Sequence, residues 1–99
     1  MRLLRVAGDS MLPTLSAGDY VLSIKTKPRS IRPGLIYIIN HSDLGRIIKR
    51  VRSQQDSGTY MLCGDNPNST PSAVIGPVSP ERIIERAILA ITKSGIRKL

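Results

Sequence analysis

Leu35-Ile36-Tyr37-Ile38-Ile39 decides the fold class. It is a continuous apolar run bounded by turn residues, and it reads as a strand buried on both faces. Asn40 to Gly45 is polar and reads as a turn. Arg46 to Arg52 follows as a second strand. Side chains alternate across a strand, so Ile47, Lys49 and Val51 share one face. Arg46, Ile48, Arg50 and Arg52 share the other. Lys49 is thus the one cation on an apolar face.

Working outward from this pair, turn signals recur at short intervals, the rhythm of an all-β domain. Leu3 to Val6 and Tyr20 to Ile24 read as strands. Lys27 to Pro33 is a basic loop with two prolines. Asp56-Ser57-Gly58 reads as a hairpin tip, with Thr59 to Leu62 returning. Gly64 to Pro80 is rich in Pro, Asn, Ser and Gly, and loops of that length are often functional. Ser79-Pro80 can open a helix. Ile83 to Ile91 is ambiguous between helix and strand, and Thr92 to Leu99 is expected to be a frayed basic tail.

Composition sets the bounds. A chain of 99 residues is expected to form one domain, numbered 1–99, with a modest core. There is no Trp or Phe and only three Tyr, so the core must be aliphatic. A formal net charge of +8 favours anionic partners such as nucleic acid, an anionic membrane surface or an acidic substrate. Nucleic acid is disfavoured among these, because single-strand and RNA binders present stacking aromatics that are scarce here. Cys63 is the only cysteine, which excludes an intrachain disulfide and suits the cytoplasm. No apolar run reaches the length of a membrane span. One His and one Cys are too few soft ligands for a metal site, so no metal and no cofactor is expected.

Gly8-Asp9-Ser10-Met11-Leu12-Pro13-Thr14 carries the sharpest chemical signal. A nucleophilic serine needs an exposed hydroxyl and a nearby backbone N–H to hold an oxyanion. Gly8 permits a close backbone approach, and Pro13 stiffens the turn that follows. Lys49 is the candidate base. A lysine accepts a proton only when neutral, and desolvation by the apolar strand face lowers its pKa in that direction. His41 could suggest a Ser–His–Asp triad with Asp65 or Asp9, but its place in a polar turn favours a surface histidine.

Together these residues resemble the signal peptidase I and LexA-like serine peptidases. Gly8 to Leu15 with Gly18-Asp19-Tyr20-Val21-Leu22 looks like that family's nucleophile box, and Lys49-Arg50-Val51 resembles its lysine box. Gly64-Asp65-Asn66, Ser69 and Gly76-Pro77-Val78 resemble the last box. The resemblance implies a coiled, mostly antiparallel β-barrel with little helix, and a strand from Ile84 to Ile91. It implies a Ser–Lys dyad in which Ser10 attacks and Lys49 takes the proton. Ser69 matches the serine that orients the lysine amine, and the Ser10 backbone N–H matches part of the oxyanion hole. Gly8, Met11 and Pro13 are assigned to the oxyanion and substrate cleft.

There are departures from the family pattern. Gly8 stands where some members carry a hydroxyl for the oxyanion hole, and Pro71-Ser72-Ala73 replaces an Asp–Ser–Arg triplet, removing its salt bridge. Cys63-Gly64 resembles the dipeptide cut by LexA-type repressors, but it falls inside the expected barrel. With only nine residues ahead of Ser10, cleavage in trans is expected. The partner is then a protein or peptide substrate, cut at a propeptide or signal-like segment. Short members of this family include the maturation protease for nickel-type superoxide dismutase, which the chain resembles in length and in Gly76-Pro77-Val78. The alternatives are a membrane-peripheral signal peptidase and a non-catalytic repressor-like oligomerisation or nucleic-acid-binding module. The sequence sets no oligomeric state.

Overall fold

The apolar run Leu35–Ile39 is the middle of the molecule. In the computed structural model, which describes residues 1–99, Ile36 to Ile39 of it open strand β3 (Ile36–His41), with Leu35 just ahead. Tyr37 and Ile39 enter one core cluster with Val51, Leu62 and Ile83. Ile36 and Ile38 enter the other with Val6, Met11, Leu15, Val21, Ala87 and Ala90. The strand is therefore buried on both faces, as its unbroken apolar run predicts. The Tyr37 hydroxyl keeps a partner in this apolar setting, accepting the Arg32 backbone N–H at 2.9 Å.

The remaining strands are β1 (Arg2–Arg5), β2 (Tyr20–Lys25), β4 (Gly45–Gln54), β5 (Tyr60–Cys63), β6 (Ile83–Thr92) and β7 (Gly95–Lys98). They form one sheet in the order β1-β2-β6-β3-β4-β5, with every pairing antiparallel. Strand β6 is the spine. Along one edge it pairs with β2, and along the other with β3 near Ile83–Arg86 and with β7 near Leu89–Thr92. This settles the ambiguity at Ile83–Ile91 in favour of a strand. Helix is confined to one short turn, α1 (Ser72–Ile75), and two 3-10 turns at Pro28–Ser30 and Pro80–Arg82. No helix is long and apolar enough to cross a membrane.

The mainly β class expected from the sequence is the one observed, but the sheet does not close into a barrel. Register shifts at Leu22/Ser23, Ile38/Ile39 and Val51/Ser53 bend and twist it. Strands β1 and β5, at its two ends, pair with one neighbour each. The space between β1 and β4 is left open as a cleft.

Two local expectations are corrected. The tail is not frayed: β7 pairs with β6 from Leu89↔Lys98 to Thr92↔Gly95, and Arg97 donates a hydrogen bond to the Thr14 carbonyl. His41 is not a surface turn residue. It ends β3, is buried, and is held by backbone on both sides. Its Nδ1 accepts the Asp43 and Leu44 N–H groups at 3.1 Å, so its Nε2–H donates to the Ile75 carbonyl at 2.9 Å. Both ring nitrogens are thus occupied by structural bonds. On β4, Ile48 packs from the arginine side onto the core cluster that contains Val21 and Ile38.

Candidate active site

Residues 6–19 form a loop closed by backbone bonds at its base, Val6 N–H to Asp19 carbonyl at 2.7 Å and Gly18 N–H to Val6 carbonyl at 2.9 Å. Gly8, at φ 74°, sits in the left-handed region open to glycine, and the chain turns sharply after it. Leu12 N–H donates to the Asp9 carbonyl at 3.2 Å and Leu15 N–H to the Met11 carbonyl at 2.9 Å. Met11 and Leu15 anchor the turn in the core with no more than 1% of their surface exposed. Ser10, between them and the solvent, stays partly exposed and lines the cleft.

Lys49 comes from β4, opposite Tyr37 on β3. It is only 5% exposed, and it lines the same cleft as Ser10. Burial depresses its pKa below the ordinary value of 10.5, with interaction with Cys63 working in the opposite direction. The cleft measures about 410 Å³ and is mostly apolar, with Leu4, Val6, Val21, Ile38 and Ile48 contributing to its lining. No hydrogen bond joins the Lys49 amine to the Ser10 hydroxyl: the side-chain bonds of this region run through Asp65 and Asn66.

The loop after β5 packs against the serine turn. Asn66 N–H donates to the Ser10 carbonyl, and Asn66 Nδ2 to the Asp9 carbonyl, both at 3.0 Å. Gly64 is pressed between the two segments. A Cβ there would collide with the Ser10 carbonyl oxygen and with the Ser69 side chain, so only glycine fits. Ser69 is therefore stacked against Gly64, its N–H bonded to the Asn66 carbonyl at 3.0 Å. Its neighbour Thr70 reaches the cleft.

The structure thus brings Ser10 and Lys49 to one cleft and sets Ser69 beside Gly64, behind Ser10. Met11 does not line the cleft; its apolar side chain is core. Pro13 borders a separate depression with Arg97 and Lys93, and Gly8 acts through its backbone turn.

An ion-pair network missed by sequence reasoning stands here. Arg50, next to Lys49, donates from Nε to Asp65 Oδ1 at 2.8 Å and from Nη2 to Asp65 Oδ2 at 2.6 Å. Its Nη1 donates to the Gly34 carbonyl at 2.6 Å. Thr14, in the serine turn, donates to Asp65 Oδ2 at 2.5 Å. The bond to Arg50, aided by Thr14, holds the Asp65 carboxyl below its ordinary pKa. So although Pro71-Ser72-Ala73 offers no salt bridge, one carboxylate still ties together the lysine strand, the loop after β5 and the serine turn.

An antiparallel sheet that sets a serine turn and a buried lysine on one open cleft has the build of a peptidase-like β domain. The comparison with protein families agrees. A family described as Peptidase S24-like matches residues 1–86, a span containing Ser10, Lys49, Asp65 and Ser69, and the chain belongs to that family. No curated protein and no solved structure matches the chain.

Proposed function

We propose that this protein is a serine endopeptidase that cleaves another polypeptide with Ser10 as nucleophile and Lys49 as base. The observation that carries this reading is that a partly exposed serine and a buried lysine of depressed pKa share one cleft. Neutral Lys49 takes the proton as Ser10 Oγ attacks the scissile carbonyl. The oxyanion meets the Ser10 N–H, and Lys49 returns the proton to the leaving amine. Water then attacks the acyl-serine by the same proton route. Ser69 is proposed to aim the amine, acting from its seat on Gly64.

Cleavage in trans is favoured by the position of Cys63-Gly64. Cys63 is paired with Arg50 in the sheet and Gly64 is packed on Ser10, so that peptide bond is held in the fold and not offered as a free extended segment. A propeptide or signal-like segment of another protein is the fitting substrate, and the nickel superoxide dismutase propeptide is the specific version suggested by the resemblance. A membrane-peripheral variant of this reading draws on Leu44, half exposed at the cleft, and on the net charge of +8.

The test is digestion of a proteome-derived peptide library, with new N-termini read by mass spectrometry. Wild type should generate new termini and Ser10→Ala should not. Equal cleavage by both proteins would overturn the assignment.

A further inference from the structure

Arg46 is an unused cation at the mouth of the cleft, and we infer that it selects substrates carrying Asp or Glu close to the scissile bond. The inference rests on the peptidase reading above and adds the chemical class of its substrate. Arg46 and Ile48 are two residues apart on β4, so both leave the strand on one side, and Ile48 packs on the cluster that floors the cleft. Arg46 itself is exposed. Neither salt bridge of the chain involves it, whereas Arg50 two turns of the pleat further on is fully engaged by Asp65 and Gly34.

The charges around the cleft leave Arg46 without a competitor. The lining holds no Asp or Glu, and its cations are Arg5, Arg46 and Lys49. Arg5 alternates with Leu4, which packs on the core, and its guanidinium lies toward Gly18 on the outer side of β1. Lys49 must be neutral to act. Arg46 is therefore the charge that a bound peptide meets.

A cleft between two strands takes a peptide in extended form, with its side chains alternating. When one side chain enters the apolar floor, its neighbours lie at the rim. A carboxylate there can accept a two-pronged bond from the guanidinium. Arg46 is three residues from Lys49, roughly 10 Å along a strand, about one screening length at moderate salt. An acidic residue held by Arg46 thus leaves the lysine free to lose its proton, while a basic residue is repelled.

The experiment compares cleavage sites in the proteome-derived peptide library for wild type, Arg46→Gln, Arg46→Glu and Arg52→Glu. Arg52 is exposed and outside the cleft, so Arg52→Glu matches the charge change of Arg46→Glu without touching the mouth. Wild type should enrich Asp and Glu within four residues of the cut by about two- to fivefold, the range open to an exposed ion pair. Arg46→Gln should lose the enrichment, Arg46→Glu should turn it toward Lys and Arg, and Arg52→Glu should keep it. No acidic enrichment in wild type, or an unchanged preference in Arg46→Glu, overturns the inference while leaving the peptidase reading intact. An absence of any cut that Ser10→Ala removes overturns both.

Discussion

Asp65 grips Arg50 with two parallel hydrogen bonds, at 2.8 and 2.6 Å, and so fixes the residue beside Lys49 to the loop that backs Ser10. Two-pronged pairs of this kind are stronger and more directional than single contacts. Both side chains are partly shielded, at 31% and 15% exposure, so truncating one strands the other in a poorly solvated place.

Asp65→Asn should therefore destabilise the fold by about 1–3 kcal/mol at neutral pH, the cost of leaving a shielded polar partner unpaired. In a domain of this size that is a fall in Tm of several degrees, on the order of 4–8 °C per kcal/mol. The sign with pH follows from the depressed carboxyl pKa. Its stabilisation is fully present above the ordinary value of 3.8 and is lost as pH falls through the lower folded value. The difference in Tm between wild type and Asp65→Asn should shrink in strong acid. A gap that stays constant down to pH 2 would show that the charge of Asp65 is not the source.

Gly64→Ala should be worse for catalysis than for folding. The added methyl meets the Ser10 carbonyl and the Ser69 side chain, so the serine turn must move. Overpacking of this kind costs about 1–3 kcal/mol, and a displaced nucleophile loses about a hundredfold in rate for each ångström. Thermal melting and peptide turnover measured on the same preparation check both parts. Unchanged turnover would mean that the turn is not held by Gly64.

Ser69→Ala should lower turnover by about 10²–10⁴-fold with little change in KM, the range for general-base assistance. Ser72→Ala is the comparison, since Ser72 starts α1, whereas Ser69 is the serine seated against Gly64. If Ser72→Ala is the damaging change, the orienting role passes to it. Thr70, which does line the cleft, should affect KM when replaced by Ala.

The sequence was most informative where one local rule sufficed. Unbroken apolarity at Leu35–Ile39 marked a strand with two buried faces, and alternation around Lys49 marked a lysine among Ile47 and Val51. What escaped was whatever depends on two distant segments meeting. Polar neighbours hid the burial of His41, because its partners are the Ile75 carbonyl and its own turn. The tail looked frayed because its basic side chains stay exposed while only its backbone pairs with β6. Met11 looked like a cleft residue through its place beside Ser10, but an apolar side chain one step along a turn faces inward. The Arg50–Asp65–Thr14 network needs β4, the loop after β5 and the serine turn side by side, and no single stretch encodes that.

The central claim, that neutral Lys49 activates Ser10, is tested most directly by the pH dependence of kcat/KM on one cleaved peptide. A base with a depressed pKa is protonated and inactive at low pH, and it becomes competent as pH rises through that value. The profile should climb tenfold per pH unit, then level off at a pH below 10.5, the ordinary lysine value. Lys49→Met, which keeps the bulk and removes the base, should show no cleavage at any pH. A flat profile in wild type, or turnover by Lys49→Met within a few-fold of wild type, would contradict the account.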